Sequence, residues 1–159
     1  EIDDVIDYYY FIYKGLIRVC YFKNGKRVIE RFEKEGVLFG GNFTHLTRKN
    51  SIYSYEAVED VILLRIKYSD LETLCKQSHA VERLYRVFME VYHANYLQRL
   101  SYFKSLSSDE KYYEFIKDYG NIANRVSLRD VASYLCVTPE TLSRIRAKYD
   151  NRLLKSKQT

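Results

Sequence analysis

The sequence has little of what membrane and secreted proteins need. No stretch approaches the roughly 18 consecutive apolar residues of a transmembrane helix, and no signal-peptide pattern stands at its start. Methionine occurs once among the 159 residues, at Met89. These absences predict a soluble, cytoplasmic protein without a membrane partner. Because the chain opens at Glu1 in a strand-like run, we also expect native sequence upstream.

Cysteine and histidine are too few and too scattered to build a metal site. The three cysteines, Cys20, Cys75 and Cys136, are an odd number without a Cys-x-x-Cys pair, which argues for a reducing compartment over a zinc site or disulfide framework. Gly40-Gly41 is not followed by the Lys-Ser/Thr of a phosphate-binding loop, and no nucleophile elbow appears. We therefore expect no enzyme activity and no metal.

Glycine is rare and unevenly spread, since five of the six glycines fall before residue 42. In this part β-rich runs alternate with turn residues, and the Asn24-Gly25 pair between residues 16–22 and 27–32 is the strongest short hairpin pattern. Further strands are expected over 51–56 and 61–66. The fold class is therefore α+β, and residues 1–68 are predicted to form an antiparallel β-roll that is incomplete at its N-terminus.

Residues 69–106 are predicted to be helical, with a capping box at Ser69 and Glu72 and a long helix over 80–104. Such a helix would measure roughly 37 Å, too long for so small a domain unless a second chain covers it. We therefore expect a dimerisation helix, although a helix packed only on its own roll is the alternative. Two apolar stripes at helical spacing carry the prediction: Val81, Leu84, Tyr85, Phe88, Val91 and Tyr92.

Residues 107–159 are predicted to end in a helix-turn-helix over 127–149. Its first helix opens at Ser127 as N-cap, and its second at Thr138 followed by Pro139 at the first helical position. Another capping box, Ser107 with Glu110, precedes it. Two helices that only pack in an all-α corner would show the same caps, so the caps alone do not establish DNA binding.

Charge favours DNA over mere packing. From Arg125 to Thr159 the chain has eight Lys/Arg and three Asp/Glu, a surplus of five that equals the +5 of the whole chain. A positive surplus concentrated on one helical segment is what phosphate binding requires. Candidate contacts to the DNA backbone are Ser127, Thr138, Arg125, Arg129, Arg146 and Lys148.

The second helix presents a polar face. Glu140, Ser143 and Arg144 repeat at helical spacing opposite the apolar residues Leu142 and Ile145. Arginine pairs with two acceptors of guanine, and glutamate accepts from the amino group of cytosine. These three residues are therefore the predicted base-reading set.

The segment Val137-Thr138-Pro139-Glu140-Thr141-Leu142-Ser143-Arg144-Ile145, behind a roll and a long helix, resembles the Crp/Fnr superfamily of bacterial transcription regulators. The resemblance covers about residues 14–149. It implies a cyclic-nucleotide-binding-like roll, a homodimer and sequence-specific binding to an inverted-repeat operator. It also implies that positions 140, 143 and 144 contact bases and that Ser127 touches the DNA backbone.

The chain departs from the family where cyclic-AMP-binding members hold the nucleotide. Those members have Phe-Gly-Glu and, some ten residues later, Arg with a small hydroxyl residue, whereas this chain lacks both the Glu and the Arg. The degenerate effector pocket comprises Phe39, Gly40, Gly41, Ser51 and Ser54. Cyclic AMP is therefore not expected to bind, and no other effector is identified.

The expected partners are double-stranded DNA and a second copy of the chain, with RNA polymerase as a candidate. The alternative function is a small-molecule-sensing or protein-interaction module whose helix-turn-helix is only structural. Binding to random duplex DNA distinguishes the two hypotheses.

Overall fold

The computed structural model describes residues 7–40, 46–47 and 49–156. The chain divides into two compact units, Glu1–Tyr96 and Leu97–Thr159. The boundary falls inside the long helix, so the segment predicted as a separate connector over 69–106 is shared between the two units.

The first unit is built on two antiparallel three-stranded sheets. Their strand orders are β4-β1-β6 and β3-β2-β5. The strands are β1 Tyr8–Lys14, β2 Ile17–Lys23, β3 Lys26–Glu33, β4 Leu38–Gly40, β5 Ser54–Ala57 and β6 Ile62–Lys67. This arrangement confirms the antiparallel roll with helices that the sequence predicts.

The β2–β3 hairpin is also confirmed. Lys23 pairs with Lys26, and the two residues between them have positive φ, 51° at Asn24 and 71° at Gly25. Two consecutive positive φ angles are typical of a type I′ turn, whose twist matches that of the two strands it connects. Asn-Gly is a strongly preferred pair in this turn.

The strands predicted near residues 51–56 and 61–66 are present, but they do not pair with each other. β5 pairs with β2, whereas β6 pairs with β1, so the turn at Glu59-Asp60 carries the chain from one sheet to the other. Gly15 lies in the connection from β1 to β2, which also passes between the two sheets and runs next to the turn at Asp60. A Cβ on Gly15 would lie 2.5 Å from the Asp60 carbonyl oxygen, so only glycine allows the two crossings to touch.

Apolar and aromatic side chains fill the space between the sheets. Ile12, Ile17 and Phe39 form a buried cluster, and Tyr10 and Tyr55 pack against it. The Phe39 ring stacks on Tyr10 with centroids 5.6 Å apart and on Tyr55 at 5.3 Å. Each such aromatic pair contributes about 0.5–1.5 kcal/mol beyond the burial of its surface.

Two helices follow the roll, α1 Tyr68–Gln77 and α2 His79–Ser105. The predicted capping box at Ser69 is wrong: the N-cap is Lys67 and makes no side-chain cap bond, while Ser69 lies inside the helix with its hydroxyl 3.3 Å from Asp70. The helix begins earlier because Tyr68 continues directly from β6. The long helix is confirmed, and its 27 residues span about 40 Å.

The second unit begins with the end of α2 and continues with α3, Ser108–Tyr119. The Ser107 and Glu110 capping box is confirmed. A glycine directly after a helix, as in Tyr119-Gly120, predicts a left-handed residue, but Gly120 has φ −54° because the chain continues in helical turns that satisfy the Tyr119 carbonyl. Glycine is needed there for space, since a Cβ would lie 2.6 Å from the Ile116 carbonyl oxygen.

Aromatic rings form the core of the second unit. Phe115 and Tyr134 have ring centroids 5.6 Å apart, and both are buried. Tyr119 contacts each of them, and Phe103 packs edge-on against Tyr134. This core holds the last two helices, α4 Leu128–Tyr134 and α5 Pro139–Ser156.

Candidate functional site

Both caps predicted for α4 and α5 are confirmed. The Ser127 hydroxyl accepts a hydrogen bond from the Asp130 amide at 3.1 Å. The Thr138 hydroxyl accepts one from the Thr141 amide at 3.2 Å, and Pro139 is the first residue of α5. Each cap satisfies a donor that a helix start leaves unpaired, so Ser127 sets where α4 begins and Thr138 where α5 begins.

The turn between the two helices has a defined hydrogen-bond pattern. The Val137 amide donates to the Ala132 carbonyl at 3.0 Å and the Cys136 amide to the Ser133 carbonyl at 3.1 Å. This pair of bonds requires a left-handed backbone at the residue that follows the helix C-cap. That residue is Cys136, which has φ 56°. A cysteine therefore occupies a position that favours glycine.

We expect Cys136→Gly to raise the free energy of unfolding by roughly 0.5–1 kcal/mol. Relief of the left-handed backbone gives about 1–2 kcal/mol, and the extra freedom of glycine in the unfolded chain offsets about 0.5–1 kcal/mol of it. Urea unfolding monitored by circular dichroism measures the change. Cys75→Gly, inside α1, is the matched control and should lower stability by about 1 kcal/mol; a loss of stability at position 136 contradicts the strain argument.

Helix α5 has a buried and an exposed face. Leu142 is 0% exposed and Ile145 6% exposed, whereas the side chains of Glu140, Ser143 and Arg144 are all exposed. The structure thus brings the three predicted base-reading residues together on the outer face of one helix, starting at its first turn.

The exposed face of α5 carries two opposite charges, on Glu140 and Arg144. The hydrogen bond that Glu140 receives from the backbone at the helix start, the Thr138 hydroxyl and the charge of Arg144 all lower the pKa of the Glu140 carboxyl, so it is ionised at neutral pH. Arg144 donates from Nη2 to the Thr141 hydroxyl at 3.2 Å. The face therefore presents one anionic acceptor and one cationic donor a single helical turn apart.

The candidate backbone contacts divide into two groups. Ser127, Arg129 and Thr138 are exposed, and Arg125 is half-buried. Arg146 and Lys148 instead lie against α3. The Arg146 charge acts against the burial that raises the pKa of Tyr112, and Lys148 is paired with Asp109. The first group lies at the helix starts, which is where a helix-turn-helix approaches phosphates.

The predicted effector pocket is occupied by the chain's own contacts. Phe39 is buried in the aromatic stack, and the buried Ser51 hydroxyl donates to the Tyr53 carbonyl at 3.1 Å and accepts from its amide at 3.0 Å. Ser54 pairs with Cys20 in the sheet. Gly41 lies outside the described residues. Ser51 is therefore committed to a local turn.

Gly40 lies beneath a group of tyrosines that connects the roll to the helices. A Cβ on Gly40 would lie 2.9 Å from both the Tyr68 hydroxyl and the Tyr9 ring. The hydroxyls of Tyr9 and Tyr85 are 2.5 Å apart, which links β1 to α2. Burial raises the pKa of Tyr9 and of Tyr68, so both stay protonated. A cavity of about 550 Å³ opens beside them, with Leu71 also in its wall.

Sequence reasoning missed a cation inside the roll. The Arg31 side chain on β3 is 12% exposed and lies with Nε 2.5 Å from the Glu33 carboxylate, itself 6% exposed. Burial acts to lower the pKa of Arg31, but the Glu33 charge outweighs it and raises the pKa. The guanidinium is therefore charged. The sequence carries no signal for this pair, because five of the eight residues of β3 are charged and nothing distinguishes Arg31 and Glu33 from the other three.

The six residues predicted for the dimer helix lie on two faces of α2. Val81, Tyr85, Phe88 and Tyr92 are half-buried, and Tyr85 contacts Tyr9 of the roll. Leu84 and Val91 are 58% and 54% exposed, and Val87 between them is 42% exposed. These three form the exposed apolar stripe of α2, spaced three and four residues apart.

Other kinds of site are not found in the described part of the chain. No group of three or more His, Cys, Asp or Glu side chains there is placed to hold a metal ion. None of the helices in residues 49–156 combines the length and apolar character needed to cross a bilayer.

Comparison with known proteins agrees with this architecture. Residues 1–78 match the family described as the cyclic nucleotide-binding domain. No curated protein matches the chain. The first unit thus has the fold of a domain that binds cyclic nucleotides in other proteins.

Solved structures share the fold over nearly the whole chain. FixK2 from Bradyrhizobium japonicum is 21% identical with a TM-score of 0.79, covering 95% of this chain and 78% of FixK2. A cyclic nucleotide-binding domain containing protein from Listeria monocytogenes EGD-e is 15% identical with a TM-score of 0.74, covering 91% and 73%. A Eubacterium rectale protein described as a transcriptional regulator of the crp/fnr family is 13% identical with a TM-score of 0.64, covering 91% and 69%.

The chain therefore has the fold of Crp/Fnr-type regulators, and its strands β1 to β6 form a cyclic-nucleotide-binding-like roll. The resemblance drawn from the sequence is confirmed at this level. What the chain binds is not fixed by the fold.

Proposed function

We propose that the chain is a sequence-specific DNA-binding transcription regulator of the Crp/Fnr type, which binds an inverted-repeat operator as a homodimer. The observation that carries the proposal is the outer face of α5. Glu140, Ser143 and Arg144 are exposed on a helix whose start is capped by Thr138 and whose inner face is buried at Leu142. An exposed polar helix face of this kind can read base edges in a major groove.

The positive charge of the same segment supports the proposal. The formal surplus of five charges from residue 125 onward equals that of the chain, so the remainder is balanced. Neutralising phosphates releases bound counterions and supplies most of the affinity for any duplex. Arg129 and the exposed hydroxyls of Ser127 and Thr138 lie at the starts of α4 and α5, where they can grip the backbone on both sides of the groove.

Selection from a random duplex library tests the proposal directly. We expect the chain to enrich an inverted repeat whose half-sites are centred about 10 base pairs apart, because a two-fold dimer places its two helices one turn apart. Equal binding to all sequences, no tighter than that of an acidic protein of equal size, would favour the alternative sensing or interaction module.

Cyclic AMP is not the effector in this proposal. Ser51 is engaged in its own turn, the Phe39 ring is stacked between tyrosines, and no arginine stands among residues 50–54. A phosphate buried against residues 50–54 would therefore have no arginine of that segment beside it and would bear a desolvation cost of several kcal/mol. Titration calorimetry should detect no binding of cyclic AMP; micromolar affinity contradicts the assignment.

A further inference from the structure

The roll contains an ion pair that the proposed DNA-binding surface does not use. Arg31 and Glu33 stand on β3 two residues apart, so they share one face of the strand. Register places Val19 opposite Arg31 and Ile17 opposite Glu33, and Ile17 packs on Ile12 and Phe39 of the other sheet. Both charges therefore face the interior of the roll.

A β-bulge sets the direction of Arg31. Val19 pairs with Arg31 but Cys20 pairs with Ile29, so Glu30 is an extra residue in the ladder. The bulge reverses the alternation of the strand at this point. Without it, Arg31 would lie on the same face as Ile29, away from Ile17.

Tyrosines surround the guanidinium. Its Cζ atom lies 5.9 Å from the centroid of the Tyr53 ring. Arg31 is also close enough to Tyr55 for its charge to act against the burial that raises the pKa of that phenol. Tyr92 of α2 is near enough to act on its charge. Arg31 thus lies where the roll meets α2, and among the residues that the structure describes the carboxylate paired with it is that of Glu33.

A buried ion pair adds little net stability, since desolvation of the two charges offsets their attraction. The arrangement has instead the form of an occupied binding site: a fixed, directed cation, aromatic walls and one carboxylate. We propose that Arg31 is the centre of an anion site inside the roll, that this site takes a small monocarboxylate, and that Glu33 fills it as an internal ligand.

The chemistry favours a carboxylate over a phosphate. Arg31 supplies one positive charge, which balances a monoanion but leaves the dianion of inorganic phosphate or of a phosphate monoester partly uncompensated in a desolvated space. The occupant seen is itself a carboxylate, in contact with Nε at 2.5 Å. Because Glu33 is part of the chain, the roll reaches its ligand-filled form without an added effector.

Removal of the internal ligand tests the proposal. We expect Glu33→Ala to lower the melting temperature by roughly 10 °C, because it leaves a buried charge unpaired. Sodium acetate should recover part of that loss, measured by circular dichroism against sodium chloride of equal ionic strength. Acetate that binds the folded form alone raises its stability with concentration. Sodium phosphate of equal ionic strength should recover less.

Three variants separate site occupancy from general salt effects. Glu33→Gln keeps the space filled and should be destabilised without responding to acetate. Glu56→Ala is the matched control, because Glu56 pairs with Arg18 at 2.7 Å on a more exposed face, where Glu56 is 31% exposed; it too should not respond. Arg31→Met combined with Glu33→Leu removes both charges and should fold without any acetate effect.

The anion site is tested by thermal stability alone, so its outcome is independent of whether the chain binds DNA. If Glu33→Ala gains no more from acetate than from chloride, or stays unfolded in both, the site does not exist. An equal response in the Arg31→Met, Glu33→Leu variant also overturns it, since Arg31 would not be the binding group. Folding of Glu33→Ala in acetate alone supports it.

Discussion

Arg144→Ala should weaken binding to the selected operator by about 5- to 150-fold per half-site while leaving binding to random duplex nearly unchanged. One bidentate contact to a base discriminates by roughly 1–3 kcal/mol, and Arg144 is exposed at the start of α5. Its guanidinium is held only through the Thr141 hydroxyl among the bonds described, and that bond can be exchanged for a base. Competition assays with operators changed at each position measure the effect.

Arg129→Ala is the matched control, because Arg129 is an exposed arginine on α4 assigned to the backbone. It should weaken specific and random duplexes alike and reduce the salt slope by about one. If Arg144→Ala behaved in that same way, Arg144 would be a phosphate contact and the base-reading assignment would be wrong.

The double variant Leu84→Glu, Val91→Glu should be a monomer and should bind the operator about 10²- to 10⁴-fold more weakly. Both residues are more than half exposed on α2, and a homodimer joined there would bury them. Carboxylates placed in such an interface are repelled and desolvated. A monomer can occupy only one half-site, so it loses the additional affinity that a dimer obtains by binding both half-sites at once.

Sedimentation equilibrium at tens of micromolar checks the oligomeric state. Leu74→Glu on α1 is the matched control, since Leu74 is 42% exposed and lies outside the stripe; that variant should remain a dimer. A wild-type chain that sediments as a monomer would refute the interface, and so would a dimeric double variant.

Local chemistry allowed much of the fold to be predicted. The caps at Ser107, Ser127 and Thr138 are made by side chains that bond to amides a few residues away, and the Asn24-Gly25 turn depends on two backbone angles. Such features are encoded within four residues, so they appear in the sequence whatever the tertiary context.

Features that depend on distant packing could not be predicted. β5 and β6 read as neighbours in sequence, but the sheet each one joins depends on partners more than 30 residues away. Arg31 reads as an ordinary surface charge because a bulge, invisible to a two-residue alternation, turns it inward. The N-cap at Ser69 failed because β6 leads directly into the helix.

Of the candidate site, sequence periodicity placed the residues of α5 on one face, and on α2 it placed Leu84 and Tyr85 in two different stripes. Tyr85 and Leu84 are adjacent, yet one contacts Tyr9 and the other is exposed. The stripe that holds Leu84, however, also holds Val81 and Phe88, which are half-buried, because a broad apolar band does not show which of its residues pack on the roll.

The tight fit around Gly40 couples a single backbone position of the roll to the long helix. Any side chain there must displace the Tyr9 ring or the Tyr68 hydroxyl, and Tyr9 is bonded to Tyr85 of α2. A single codon change at position 40 therefore reaches the long helix through one intermediate residue. A substitution at position 40 would thus disturb the contact between β1 and α2 without changing any residue of α5.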